Sequence, residues 1–539
     1  MKNRLPLITA SLIGSLTLNM QAQVYSPILE SSTNVEVPAS SSVYCEDYDS
    51  FGSVNTTFAY SSVAEKGIVS ISESGEINAI ITELGMPALI YGPILNLGAS
   101  SCVMFLDSEL VALRISFVDN ISCSETDGYD VPLPAGYNQA TVLGFVFHTV
   151  APNQYQITTM LKVFSTVENK WKVLALRSVV NNLGDTATHE FKPIMVGSVA
   201  TYGADITIDP VGNVYIWGYY SKNAAGTQHD NFLTKYNASG ILQYTKTFSS
   251  YTGRDDIASR VVLDNAGGLY AISLSEDNVS PYYDHIAIYK IKTLNGKLTW
   301  IKRQGEATEG DEHMWDVAGN TTGEGLAFTG SFVTPAGSRD TRTWRLNGAG
   351  NAMWIKTINQ NPIVGSTEEG RAICFDAVTG DVMVGGFTQN NAFIERYNTS
   401  TGVAAWPVKL YAGAETGTVL NNKMIITSRL TGDDLLLFPS AIPGGNNLIT
   451  VAIFNEIILK EAAAENNNTI QIYPNPANNF IQIKGLSQIN SIQIINAVGQ
   501  IIETVQNPEN TISIATSDFE PGMYFVQAGD VTYSFIITH

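Results

Sequence analysis

Helical periodicity is nearly absent from this chain, charge is scarce, and the short motifs that mark common enzymes do not occur. Charged residues make up 15% of the 539 positions, and the 44% apolar fraction holds few stretches with the three-and-four spacing of an amphipathic helix. With 45 glycines and 24 tyrosines, that composition excludes a helical bundle and points to an all-β protein. There is no Gly-x-Ser-x-Gly elbow, no phosphate-cradling Gly-rich loop ending in Lys-Ser/Thr, and no His-Glu-x-x-His helix. Positive charge is short as well: 30 Lys and Arg face 50 Asp and Glu, for a formal net charge of −20. Such a surface repels phosphate backbones and anionic lipid, which excludes nucleic acid as a partner. Cysteine is limited to Cys45, Cys102, Cys123 and Cys374, whose spacing fits no zinc ribbon or finger.

Only one apolar run stands out, Leu5 to Leu18, preceded by Lys2 and Arg4 and followed by Met20-Gln21-Ala22. It is too short for a membrane span, and small or unbranched residues before the break fit a signal peptide, residues 1–22, cut after Ala22. The first cysteine comes only at Cys45, which disfavours a lipid anchor at that break. Loss of Lys2 and Arg4 takes the formal charge from −20 to −22. In an oxidising compartment four cysteines permit three pairings, of which Cys102 with Cys123 closes the shortest loop and leaves Cys45 and Cys374 as unpaired core residues.

The middle of the chain repeats. Gly240, Gly296, Gly350 and Gly402 are each followed four residues later by an aromatic: Tyr244, Trp300, Trp354 and Trp406. A basic residue recurs just upstream as Lys235, Lys290, Arg345 and Arg396, and a turn with its strand recurs as Gly212-Asn213-Val214-Tyr215, Gly267-Gly268-Leu269-Tyr270, Gly323-Glu324-Gly325-Leu326 and Gly380-Asp381-Val382-Met383. Three markers keep one period. Each unit reads as two hairpins in about 55 residues, the content of a four-stranded propeller blade. The expected architecture is a multi-bladed β-propeller of about seven blades over 60–455, with clear repeats at 204–413, an extended segment at 23–59 before it and a polar linker at 456–468 after it. The third clear unit carries one extra residue at Gly323.

Residues 469–539 read separately as short alternating strands, the pattern of a small immunoglobulin-like β-sandwich. The repeat resembles bacterial β-propeller repeats in its turn glycine, its Asn-Val-Tyr-like strand and its basic-to-aromatic spacing. The tail resembles the type A C-terminal sorting domain of the Bacteroidetes type IX secretion system. That resemblance rests on Tyr473-Pro474-Asn475-Pro476, the turn through Gly499, Gly522 with Tyr524, and the apolar Phe535-Ile536-Ile537. It departs from the family in closing on Thr538-His539, where a lysine is common. The resemblance implies a secreted or outer-membrane-surface protein whose partners are the outer-membrane secretion machinery and a sortase-like processing enzyme.

Candidate chemistry gathers at Asp311-Glu312-His313-Met314-Trp315-Asp316, with carboxylate pairs Asp255-Asp256 and Glu368-Glu369 at matching places in neighbouring units. Asp256, Glu312, Asp316 and Glu369 are therefore the candidate metal ligands, and calcium is the ion that such an oxygen ring would take. The same acids supply the alternative reading, a hydrolase or lyase with its active site in the channel. Against both stands the reading of solvated loops. Trp300, Trp354 and Trp406 suit either sugar stacking or a core role, and their fixed offset from a glycine favours the core. The recurring Lys or Arg either stitches neighbouring blades through carboxylates or flanks its strand in solvent. Asp185-Thr186-Ala187 resembles a bacterial O-glycosylation site. Three functions remain open at this stage: binding or adhesion of a glycan or protein ligand, the hydrolase or lyase, and a structural surface component.

Overall fold

The computed structural model describes side chains through most of residues 112–405 and 472–538, and the backbone of the strands lying within 25–107 and 409–458. The expected signal peptide, the Cys102–Cys123 pairing, Asp185-Thr186-Ala187, Trp406, Pro476 and Gly499 fall outside the described residues. One unit spans Val24–Ile458 and a second takes in Leu459–His539.

Four strands in chain order, each antiparallel to the last, make one sheet, and the pattern recurs along the first unit. Sheets one to seven occupy 42–82, 95–132, 137–193, 201–248, 256–304, 312–358 and 368–412. Sheet eight takes three strands from 425–458 and borrows its outermost strand, Tyr25–Val37, from the start of the unit, where it pairs with Asn447–Ile458. Successive four-stranded meanders are the construction of a β-propeller. The sequence reading of about seven blades meets eight four-stranded sheets here. The difference lies in 23–59, read as an extended segment but supplying strands to sheets one and eight. Pairing across more than 400 residues of chain leaves no mark in local periodicity.

From sheet three to sheet eight the first strands of consecutive sheets pack side by side. Second strands are buried on both faces, as in Val214–Ser221 and Val382–Thr388, because neighbouring sheets cover them from either side. Fourth strands are the exposed edges. The apolar cores accordingly sit between sheets: Tyr215, Trp217 and Leu233 of sheet four meet Val261, Ala271 and Tyr289 of sheet five, and the Trp217 indole reaches across to the carbonyl of Ile272 at 2.8 Å. Each large side chain buried this way contributes about 1.5–3 kcal/mol. The first strands of sheets four to seven each carry a β-bulge at the same place, between Gly203 and Asp205, Ala258 and Arg260, Met314 and Asp316, and Gly370 and Ala372.

In the second unit a three-stranded sheet (Gln471–Tyr473, Phe480–Lys484, Thr511–Ala515) and a four-stranded sheet (Ile501–Gln506, Ser491–Asn496, Gly522–Ala528, Val531–Ile537) share one core of Ile481, Ile483, Ile492, Ile494, Val526 and Phe535. Among the described residues no helix is long and apolar enough to cross a membrane.

Candidate functional site

Asp256, Glu312, Asp316 and Glu369, singled out from the sequence, lie on the first strands, and each is engaged by groups of the fold itself. Asp256 opens the first strand of sheet five and is fully buried; Ser275 Oγ donates to its Oδ1 at 2.5 Å and the Ser250 N–H to its Oδ2 at 2.7 Å. Burial pushes its carboxyl above the usual range, although both hydrogen bonds pull the other way. Glu312 stands at the same place in sheet six, buried, with the Arg342 guanidinium 3.6 Å away. Arg342 itself lies over the Phe332 ring at 3.5 Å. Glu368 occupies the equivalent position in sheet seven and is also buried. The neighbouring Glu369 accepts from Arg371 through Nε at 2.8 Å and through Nη2, and that guanidinium rests 3.6 Å over the Trp315 ring of sheet six.

Asp316 has a different task. Asp316 Oδ2 accepts a backbone N–H of the next first strand, from Ile373 just past that strand's bulge, at 3.0 Å. Asp205 does the same for Val261 at 2.8 Å. Both residues are bulge positions that tie one sheet to its successor. Among the described residues no three His, Cys, Asp or Glu side chains come together in a way that could hold a metal ion.

At the other end of the same sheets, two of the three repeat markers, the glycine–aromatic pair and the basic residue upstream of it, turn out to be parts of one joint. Lys235 Nζ and Tyr244 Oη of sheet four both donate to the carbonyl of Thr293 in sheet five, at 2.9 and 3.2 Å. Lys290 and Trp300 of sheet five both donate to Gly348 of sheet six, at 2.8 and 3.3 Å. Arg345 and Trp354 of sheet six both reach Thr399 of sheet seven, on its hydroxyl at 3.4 Å and its carbonyl at 3.0 Å. Each aromatic ring also covers the turn glycine of the following unit. A Cβ at Gly350 would stand 2.9 Å from the Trp300 ring, and one at Gly402 would stand 2.6 Å from that of Trp354. Lys235 and Lys290 therefore stitch sheets through carbonyl oxygens and Arg345 through a hydroxyl, whereas Arg396 is buried on Asp376 and Asp381 of its own sheet. Arg177 makes the same reach from sheet three, to the carbonyl of Ala238 at 3.1 Å, without the aromatic companion that would have marked it in the sequence.

On this turn end, where sheets six and seven meet, a cavity of about 520 Å³ opens among Asn320, Thr322, Glu324, Asn347, Met353 and Ser400, with Arg345 and Thr399 also on its lining.

In the second unit the opening motif is fastened to the last strand. Asn475 Oδ1 accepts the Ile536 N–H at 2.9 Å, and Ala477 exchanges backbone hydrogen bonds with Ile536 and Thr538 at 2.7 and 2.8 Å. Tyr524 is buried with its hydroxyl on the Glu520 carbonyl at 2.9 Å, while Tyr473 remains 43% exposed. Residues 471–537 match the family model described as the secretion system C-terminal sorting domain. The tail is a type IX sorting domain. A chain that carries the sorting domain interacts with the type IX secretion machinery and is exported to the cell surface or the extracellular space.

Solved structures resemble the chain at low identity. The quinohemoprotein alcohol dehydrogenase from Comamonas testosteroni is 11% identical over 84% of this chain and 79% of its own, with a TM-score of 0.44. The Dos1 propeller is 8% identical over 80% of this chain and 96% of its own, at 0.45. The WD40 domain of SCAP from fission yeast is 9% identical over 78% and 98%, at 0.42. No curated protein matches the chain.

Proposed function

We propose that the chain is an exported binding protein: an eight-bladed propeller spanning 24–458, closed by its own N-terminal strand, that recognises an extracellular glycan or protein. A signal peptide at 1–22 delivers it to the periplasm. An immunoglobulin-like sorting domain at 469–539, joined by a short linker, carries it across the outer membrane and is then processed by a sortase-like enzyme. The observation that carries the binding reading is how the first-strand acids are used. Asp256, Asp316 and Glu369 serve as acceptors for side chains and backbone of the blades themselves, and Glu312 pairs with the Arg342 guanidinium, which makes all four parts of the scaffold. A scaffold knit at both ends and open at its turn face suits recognition.

Two measurements test this. Export is followed in cell-surface and medium fractions for the full chain and for a chain lacking 469–539; the tail-deleted form is expected to stay inside the cell, and unchanged export would sink the sorting role. Binding is read on a glycan and peptide array probed with the purified exported protein. Turnover of an arrayed polysaccharide or peptide in place of retention would overturn the binding reading in favour of a hydrolase or lyase.

A further inference from the structure

The repeat breaks where the cavity opens. In sheets four and five the turn after the first strand, the second strand and the third strand supply an Asp, a Tyr and a Lys that lock together. Tyr215 Oη donates to Asp209 at 3.0 Å with Lys235 5.1 Å over its ring, and Tyr270 Oη donates to Asp264 at 2.9 Å with Lys290 5.4 Å over its ring. Sheet six has Asn320, Ala327 and Arg345 at those three places. The carboxylate and the phenol ring are gone. Arg345 turns instead to the carbonyls of Leu326, Leu346 and Glu324, to the Thr399 hydroxyl and to the Phe375 ring of sheet seven, 5.2 Å away, so its described hydrogen-bond acceptors are neutral oxygens. The turn between first and second strands is also one residue longer here than in sheets four and five.

What lines the resulting groove is polar and mostly uncharged. Asn347 commits its side-chain oxygen to the N–H groups of Ala349 and Asn351, at 3.0 and 3.1 Å, and its amide NH2 has no bond among the described residues. Ser400 uses its backbone N–H on Asn398, while its hydroxyl is likewise unspent. Thr322 is exposed beside them. Met353, 41% exposed, supplies one apolar wall. The one carboxylate on the rim, Glu324, lies 3.9 Å from Lys290, and the one guanidinium is buried in the floor. Free amide and hydroxyl groups beside an apolar strip match the hydroxyls and C–H faces of a sugar. Among the described residues lining the groove no free cation is offered to a polyanion, on a chain already carrying −20. The volume lies within the usual range of about 300–1,000 Å³ for ligand sites.

We infer that the groove between sheets six and seven binds a neutral oligosaccharide. This rests on the reading of the chain as a binding protein and names the ligand class and place. The test uses the purified full-length exported protein and a panel of neutral gluco-, manno- and xylo-hexasaccharides, with an acidic hexapeptide and a uronate hexasaccharide alongside. Binding of at least one neutral hexasaccharide is expected, with at least a tenfold loss in Ala349→Trp and in Ser400→Trp, whose added rings fill the groove from exposed turn positions. Leu294→Trp, in the corresponding turn of sheet five and 85% exposed, is expected to bind as the parent does. Thermal melts confirm that all three variants fold. Neutral sugar bound equally by the groove-filled variants would overturn the location and leave the binding reading intact. Preference for the peptide or the uronate, or failure of every neutral hexasaccharide to bind, would overturn the ligand class. The wider binding reading falls separately, if the array shows turnover.

Discussion

The two ends of sheets four to seven are joined by different chemistry. At the turn end, cationic and aromatic donors of one sheet converge on neutral oxygens of the next, and a ring closes over a glycine. At the opposite end, where the first strands begin, buried Asp256 and Glu312 hold a serine hydroxyl and a guanidinium, and half-buried Asp316 takes a backbone N–H of the next sheet. Carbonyl acceptors do not titrate, although at this end Asp264 of sheet five also takes the Gly325 N–H of sheet six at 2.8 Å. The carboxylate end carries its charge at a desolvation cost that depends on pH. The carbonyl contacts supply steady cohesion, and the buried carboxylate Asp256 couples cohesion to pH.

The largest effect is expected at the turn end. Trp354 is 7% exposed and fills the joint between sheets six and seven, so Trp354→Ala should cost about 3–5 kcal/mol by the usual scale for a buried aromatic. Denaturant unfolding measures it. A loss under about 1 kcal/mol, typical of a surface substitution, would break the claim that these aromatics hold the sheets together.

Next comes the glycine under that ring. Gly402 has φ +64, and a Cβ there meets Trp354 at 2.6 Å, whereas Gly267 has φ +79 with nothing within 4 Å. Both substitutions to Ala incur the left-handed cost of about 1–2 kcal/mol, and Gly402→Ala adds an overpacking cost of about 1–3 kcal/mol. Gly402→Ala should therefore be the more damaging of the two. Combining it with Trp354→Ala removes the clash, so the double variant should lose less than the two single losses added together. Strict additivity would show that ring and glycine do not act as one joint.

The turn end was legible in the sequence because sheets four to six repeat the same solution. A glycine, a basic residue and an aromatic at fixed offsets are visible without coordinates. Their partnership was not, because Trp354 covers the glycine of the following unit, and the Gly-to-aromatic offset seen within one unit is the trace of a contact between two. The carboxylate end was read less well. Asp256, Glu312 and Glu369 were found, but they suggested a metal ring because the serines and arginines that occupy them lie on other strands or behind a bulge. The groove was foreshadowed only by the extra residue at Gly323; Ala327 standing in a tyrosine's place means nothing until the repeats are aligned strand by strand. The outermost strand of sheet eight could not be seen, since Tyr25–Val37 finds its partner at the far end of the unit. In the tail, by contrast, the motif residues were legible and Asn475 was among them, but its role as the acceptor for Ile536 needed the strand pairing.

The smallest expected effect separates the two ends by pH. Asp256 has its carboxyl raised by burial, so in the interval above the ordinary aspartate value the folded chain holds a proton there more often than the unfolded chain does. Stability contributed at this site is therefore greatest below the unfolded value and declines as pH rises through the folded one. In Asp256→Asn that decline is removed while a hydrogen-bonding side chain remains for Ser275 and Ser250. Unfolding free energies of the parent and the variant, measured from pH 3.5 upward, should differ by a gap that moves in the variant's favour as pH rises and then levels off. The other carboxylates titrate alike in both proteins and cancel in the difference. A gap that stays flat, or that moves in the parent's favour, would mean that the hydrogen bonds from Ser275 and Ser250 outweigh burial, and the carboxylate end would then be as insensitive to pH as the carbonyl end.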